Sequence, residues 1–273
     1  MNCAGKISIV IPCYNHGAML LEALASIDRV RSESICEIII VNDGSTHEQT
    51  IQILRDLPAA KYKVINQVNR GLGAARNTGV AAACGEFILP LDSDNRLREP
   101  YLMDGVKLLM QDSKLGVVYG DMECFGEKTG REQVQDFDLH YLIRGNYIDA
   151  CALYRRAVWA SVQGYDEKMP WMGYEDWDFW RRVALQGWKF HHLKEIAFDY
   201  RVSSGSMLRS ETNHHQDELN AYIAGKRESG VLQSILRNEM ELTRLKLIEK
   251  SAEYRVGRLL VGPVRKLKKF FSK

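Results

Sequence analysis

Phe87-Ile88-Leu89-Pro90-Leu91-Asp92-Ser93-Asp94 decides the reading of this chain. A short apolar run of this kind reads as a buried strand, and the two carboxylates that follow mark where its end opens into a cleft. In an extended segment residues i and i+2 share a face, so Asp92 and Asp94 can converge on one hard divalent cation, which in turn can neutralise a diphosphate. A solvated acidic turn is the competing reading, and Asp-Ser-Asp alone does not choose between them.

The flanking sequence places that strand in an alternation. Ile7 to Ile11, Glu37 to Val41, Tyr62 to Ile65, Glu86 to Leu91 and Val117 to Tyr119 read as strands. Amphipathic helices fit near Ala18 to Asp28, His47 to Leu57, Leu72 to Ala83 and Glu99 to Met110. This order predicts an α/β fold: a mostly parallel, Rossmann-like sheet flanked by helices, with its ligand site beyond the carboxyl ends of the strands. Three of those ends carry polar clusters, Pro12-Cys13-Tyr14-Asn15-His16, Asn42-Asp43-Gly44-Ser45-Thr46 and Asp92-Ser93-Asp94. After Gly120 the alternation stops. Glu123 to Gln133 predicts a hairpin, Ile148 to Tyr154 a strand, and Gly173 to Leu185 a helix with acids in its first turn and Arg181-Arg182 late. From about Asp217 the chain reads as helical, with breaks at Ser229-Gly230 and Gly262-Pro263.

At 273 residues the chain can bury the core of one large α/β domain, or of a domain with an appendage. A net charge of +2 argues against a nucleic-acid binder of the whole-surface type. No apolar run approaches the roughly 20 residues that span a bilayer, and Met1 to Lys6 leads into a strand without a signal peptide, so a cytoplasmic location is expected. The six cysteines form no CxxC pair and have no regular spacing, as expected of reduced thiols.

Asp43 ends an apolar run and can accept a hydrogen bond from a nucleobase imide, while the Asp-Gly-Ser-Thr turn can equally cap the next helix. Gly71-Leu72-Gly73-Ala74-Ala75-Arg76 is not a dinucleotide fingerprint, because Arg76 stands where the third glycine belongs. It supplies a glycine-rich helix entry and a cation for a phosphate or base, or else Arg76 lies on a solvated helix face. In Tyr174-Glu175-Asp176-Trp177-Asp178-Phe179-Trp180 three acids sit among large aromatics. Burial raises a carboxyl pKa toward general-base duty; for Asp178, pairing with Arg181 or Arg182 is expected instead. His191-His192 and His214-His215 lack the partner spacing of a metal site, and His16 is placed to line the pocket.

In order, I-V-I-P-C-Y-N, I-I-V-N-D-G-S-T, N-R-G-L-G-A-A-R-N-T-G, F-I-L-P-L-D-S-D, G-Y-D-E and Y-E-D-W-D-F-W-R-R closely resemble the family 2 glycosyltransferases over about Ile7 to Ser206. The resemblance implies the GT-A fold and inverting transfer of a sugar from a nucleotide donor, expected here to be a UDP-sugar. It also implies a divalent metal, manganese or magnesium. Residue by residue, it implies that Pro12, Tyr14 and Asp43 hold the base and that Arg76 supports the nucleotide. Ser93 then touches the ribose or phosphate, Asp94 is the main metal ligand, and Asp92 lies nearer the sugar or ribose as a second ligand. Glu175 and Asp176 align with the catalytic acid pair, Asp176 being the usual base. A third protein ligand for the metal is not evident, and a loop over the diphosphate is expected near Tyr200 to Met207.

The domain expectation is a catalytic domain over 1–210, with 1–120 as nucleotide-binding half and 121–210 as acceptor and catalytic half, followed by a C-terminal helical extension over 211–273. Val256 to Lys273 places apolar residues on one helical face and Arg258, Arg265, Lys268, Lys269 and Lys273 on the other. This suits an anionic membrane surface, or packing against its own domain or a homo-oligomer mate. The acceptor is expected to be a saccharide or glycolipid. Two rivals stand beside this reading: a nucleotidyltransferase, which needs a glycine-rich loop that Pro12-Cys13-Tyr14-Asn15 is not, and a catalytically degenerate nucleotide-sugar binder or scaffold.

Overall fold

The computed structural model describes residues 3–30, 32–203 and 212–250. Its strands are β1 (Ile7–Cys13), β2 (Ile35–Asp43), β3 (Tyr62–Gln67), β4 (Phe87–Pro90), β5 (Arg96–Leu97), β6 (Leu115–Gly126), β7 (Gly130–Glu132), β8 (Leu153–Arg155) and β9 (Lys189–Val202). The helices are α1 (Gly17–Val30), α2 (Glu48–Asp56), α3 (Leu72–Ala81), α4 (Glu99–Gln111), α5 (Leu139–Arg144), α6 (Arg156–Ser161), α7 (Glu175–Leu185), α8 (Gln216–Gly225) and α9 (Arg227–Lys250).

One sheet runs in the order β3-β2-β1-β4-β8-β6-β9-β5, with β7 hairpinned onto β6. The pairings make β1, β2, β3, β4, β6 and β9 point one way, and β8, inserted between β4 and β6, runs against both. β1 has every residue buried, as a central parallel strand covered on both faces requires. Its period of two separates two cores. Ile7, Ile9 and Ile11 pack with Leu20, Leu24 and Ile27 of α1 and with Tyr101 and Leu102 of α4; Val10 packs on the other face with Ala75 and Val80 of α3 and Phe179 and Trp180 of α7.

α3 lies against the sheet at backbone distance. A Cβ on Gly79 would stand 2.3 Å from Val10 Cγ1 and 3.2 Å from Val41 Cγ2, so only glycine admits this approach. At the chain's far side, α8 belongs to the same compact unit as the sheet. Tyr222 Oη donates to Asp166 Oδ2 at 2.9 Å, and Lys226 Nζ bonds Asp166 Oδ2 at 2.5 Å and Asp178 Oδ1 at 2.6 Å.

The expected elements up to the β6–β7 hairpin are present, and three expectations change. Of the expected strand Ile148 to Tyr154 only Leu153 and Tyr154 pair, continuing to Arg155, because Asp149 turns its carboxylate onto Cys151 N at 2.8 Å and takes the backbone out of the ladder. The helical break falls at Lys226, and α9 runs through Ser229-Gly230; one glycine costs a helix only about 1 kcal/mol. Arg96–Leu97 and Lys189–Val202 form strands that show no alternation in sequence. The chain divides into two compact units, 1–228 and 229–273. The break at Gly262-Pro263 and the basic face of Val256 to Lys273 lie outside the described residues. Among those described, no helix is long and apolar enough to cross a membrane.

Candidate active site

The ends of β1, β2 and β4 meet the first turns of α3 and α7. Beyond β1, Asn15 takes a φ of 59° and reaches across to the loop after β2. Its Oδ1 accepts from Thr46 N at 2.8 Å and His47 N at 2.9 Å, which ties the turn leading into α2 to the end of β1, while the N-cap His47 makes no side-chain cap. Ser45 Oγ accepts from Asn15 N at 3.0 Å. Tyr14 is exposed at this mouth, while Pro12 is buried within β1 opposite Val41. His16 Nδ1 lies 3.1 Å from Ser93 Oγ, which joins the first strand end to the third.

Asp43 is buried and holds the glycine-rich entry to α3. Its Oδ1 accepts from Gln67 Nε2 at 2.7 Å and Arg70 N at 2.9 Å, and its Oδ2 from Gly71 N at 2.9 Å. A carboxylate has about four acceptor positions, and three of those of Asp43 are taken by these donors. The Gly71 turn, with φ of 86°, starts α3 so that Arg76 points inward. Arg76 is not on a solvated face: it is 2% exposed, donates to Asp92 Oδ1 at 2.7 Å, and lies over the Tyr165 ring at 5.6 Å. Burial alone would lower its pKa, but neighbouring carboxylates, led by Asp92, hold the guanidinium above its ordinary value. Its Nε is buried with no hydrogen-bond partner among the described residues.

Asp94 is the other kind of carboxylate. Burial, then the charge of Asp92, raise its pKa, against the pull of His16, of its own backbone amide and of Arg201. Asp94 O and Asn95 Oδ1 are fixed by Arg201 of β9, through Nε and N, both at 3.0 Å. A carboxylate oxygen pair beside Asp92 has the hard donor chemistry that suits Mg²⁺ or Mn²⁺. No third ligand completes a cluster there among the described residues; of the expected loop over the diphosphate, Tyr200 to Val202 end β9 and 204–207 lie outside the described residues.

Glu175 and Asp176 open α7 under Arg76. Glu175 is 3% exposed, with Oε2 accepting from Gly173 N at 2.7 Å, and burial pushes its pKa up to about 7. Asp176 is half-buried. Its Oδ2 accepts from Asn146 Nδ2 at 2.9 Å and its Oδ1 from Trp177 N at 2.7 Å. Burial drives its pKa to about 6, with Arg76 acting the other way. Asp178 turns away from the cleft to Arg182 Nε at 2.8 Å, as expected, and to Lys226.

Two members of the site carried no motif. Asp149 is pushed up to about 7 by burial and by the charge of Asp92. Its signal is a carboxylate inside an apolar run, Ile148-Asp149-Ala150-Cys151-Ala152. The Tyr200 hydroxyl is raised by burial and by Asp149, Asp92 and Asp94, which places it at the same cleft. A further link is Asn77, next to Arg76. Its Oδ1 accepts from Tyr165 N at 2.8 Å and Trp159 Nε1 at 2.9 Å, and its Nδ2 donates to Glu167 Oε1 at 2.9 Å, fastening the Gly-Tyr-Asp-Glu loop to α3. The histidine pairs make no metal cluster among the described residues. His192 instead bridges Asp121 and Asp136 and stacks on Tyr119, and His215 stacks on Trp171.

A curled, mostly parallel sheet with acids at its strand ends and a carboxylate pair on a facing helix is the GT-A architecture. Residues 8–166 match the family described as glycosyl transferase family 2, and the chain belongs to that family. It is 32% identical over 226 residues to the glycosyltransferase GlyA of Streptococcus pneumoniae, covering 75% of this chain and 32% of that protein. It is 28% identical over 222 residues to the putative glycosyltransferase EpsH of Bacillus subtilis, covering 74% of this chain and 62% of that one. The chain therefore spans less than two thirds of either relative. Among solved structures, S. aureus TarS in complex with UDP-GlcNAc superposes with a TM-score of 0.66 at 20% identity, covering 92% of this chain and 77% of that one. TarS in complex with UDP gives 0.61 at 24% identity, covering 73% and 61%. These likenesses establish the fold. The family is generally divalent-metal-dependent.

Proposed function

We propose that this chain is an inverting, metal-dependent glycosyltransferase. It moves a sugar from a nucleoside diphosphate donor, a UDP-sugar, to a hydroxyl of a saccharide or lipid-linked saccharide in surface polysaccharide or glycolipid synthesis. The observation that carries the reading is one buried cation, Arg76, set among Asp92, Glu175 and Asp176, beside the Asp94 carboxylate, whose pKa burial and the charge of Asp92 raise. Within this reading 1–120 hold the nucleotide and 121–210 bring the acceptor and the base.

The remaining acceptor position of Asp43 takes the imide of uracil, Tyr14 covers the base, and Ser93 contacts the ribose or phosphate. Arg76 Nε, buried and unbonded, is a donor for a phosphate oxygen. Asp94, with Asp92, would hold manganese or magnesium, which when bound offsets the charge on the departing diphosphate. Asp176 fits the base better than Glu175: it is half-exposed and steadied by Asn146, while Glu175 is buried against Gly173 N. A base with a pKa near 6 is ionised at neutral pH and still takes the proton of an acceptor hydroxyl as its oxygen attacks. Attack from the face opposite the diphosphate inverts the anomeric carbon in one displacement. Docking of Val256 to Lys273 on an anionic membrane belongs to the same proposal and is read by vesicle sedimentation.

The test is a thermal-stability screen of nucleotide sugars with divalent cation or chelator, followed by the anomeric configuration of the product. A UDP-sugar should stabilise the chain only with the cation. Equal stabilisation in chelator, or a product that keeps the donor's configuration, refutes the reading.

A further inference from the structure

At the opposite end of the sheet from the strand ends described above, three cysteines with no shared spacing meet. Cys3 precedes β1, Cys36 lies at the start of β2 and Cys84 precedes β4. Their sulfur atoms all lie within 4.8 Å of one another. None of the six cysteines is in a disulfide, and the transfer chemistry uses none of these three.

The backbone around them is fixed by bonds that leave the sulfurs aside. Cys3 O accepts from Lys6 N at 3.2 Å and Glu86 N at 3.3 Å, and Gly5 N donates to Glu86 Oε2 at 2.8 Å, so the first segment is fastened to the one carrying Cys84. Glu37 Oε1 accepts from Cys84 N at 2.6 Å and from Ser8 Oγ at 2.5 Å, and Gly85 N donates to Ser8 Oγ at 2.8 Å. The approach depends on Gly85, where a Cβ would stand 2.6 Å from Ser8 N. Outer hydrogen bonds of this kind orient metal ligands.

The geometry points to a site for a soft, thiolate-seeking divalent cation of the zinc class, held by Cys3, Cys36 and Cys84, with its fourth position open to water beside the exposed Cys84. A tetrahedral ion with metal–sulfur bonds of about 2.3 Å sets its sulfurs about 3.8 Å apart. Cys36 Sγ and Cys84 Sγ stand 3.8 Å apart, whereas a disulfide needs about 2 Å. Three sulfurs also select against the hard cation suited to Asp94. Ligation replaces thiol protons with metal, releasing them to solvent, and Cys36 gives up its 3.3 Å bond to Ile7 O. Because ligation displaces thiol protons, metal uptake should strengthen as pH rises.

Cobalt(II) is the probe, added to the full chain purified under reducing conditions. About one cobalt per chain should bind with a sulfur-to-cobalt charge-transfer band and the intense visible bands of a tetrahedral site, and zinc should displace it. Zinc at about a hundred times its dissociation constant should raise the Tm by roughly 5 °C or more. Cobalt held by Asp92 and Asp94 gives no sulfur band, so the two sites are told apart. Cys36→Ser and Cys84→Ser should each lose the band, and Cys124→Ala should keep it. Cys84 is at the surface, and unchanged circular dichroism of its variant shows that the loss is not unfolding. No sulfur band in the reduced wild type, its survival in Cys84→Ser, or Cys36–Cys84 disulfide formation at the same rate with and without zinc would each overturn the site.

Discussion

Arg76→Met removes the cation of the cleft and keeps most of the stem that packs beside Tyr165. Breaking a buried ion pair by deleting one partner costs about 3–5 kcal/mol. The Asp92 side chain is 29% exposed, so water can partly resolvate it, and the low end of that range, about 3 kcal/mol, applies. For a chain of this size that corresponds to a Tm lower by roughly 6–12 °C. The loss depends on pH with a definite sign. Asp149 and Glu175 at about 7 and Asp176 at about 6 lie above their ordinary values of 3.8, 4.5 and 3.8. The folded chain thus binds protons between about pH 4 and 7 that the unfolded chain does not, and stability falls as pH rises through that window. Without Arg76 these pKa values climb further, so the deficit should be largest at pH 8, where the carboxylates must ionise uncompensated, and smallest at pH 5. Differential scanning fluorimetry of both proteins from pH 5 to 8, without divalent cation, reads this. A Tm loss under about 2 °C, or one of equal size at both ends, refutes the view of Arg76 as the counter-charge of the cleft.

The wild type itself should gain Tm on going from pH 7 to 5, since the carboxylates whose pKa is lowered, Asp121, Asp166 and Glu22 among them, oppose this only below their ordinary values; a flat or falling Tm contradicts it. Asp176→Asn should lower turnover by on the order of a hundredfold or more while donor affinity by calorimetry stays within about threefold. Should Glu175→Gln be the inactive variant and Asp176→Asn the active one, the roles within the pair are exchanged. Asp94→Ala should abolish the metal dependence of donor-induced thermal stabilisation, and its persistence removes Asp94 from the metal site. Gly79→Ala should cost about 1–3 kcal/mol in urea unfolding, from a Cβ set against Val10; an unchanged midpoint means that α3 can lift from the sheet.

The strands of the first half were legible because each apolar run ends in a polar cluster, and a parallel sheet buries such runs on both faces. Asp92, Asp94 and the Glu175-Asp176 pair stood out because charge beside large apolar side chains is costly unless it has a use. The burial of Arg76 was not legible: its partner Asp92 lies in another element, and only the Gly71 turn and the Gly79 contact bring the two together. Asn15 read only as part of a polar cluster at the first strand end, yet its side chain bonds the turn after the next strand. Ser229-Gly230 read as a break because local propensity favours one, and α9 passes through regardless. The cysteines had no spacing to notice, since three separate strand starts deliver Cys3, Cys36 and Cys84 to one place.

The seating of α3 on Gly79 has a consequence for how this scaffold can change. A helix held at backbone distance from two central strands cannot slide without a clash, so Arg76 and Asn77, on consecutive positions, are set as by a ruler. One fixes the charge balance among Asp92, Glu175 and Asp176, and the other fixes the Gly-Tyr-Asp-Glu loop. Under the proposed function, new substrate preferences fall to the segment from 127 to 147, which is tied to the rest of the chain by exchangeable side-chain bonds such as Arg131 to Asp121 and Asn146 to Asp176.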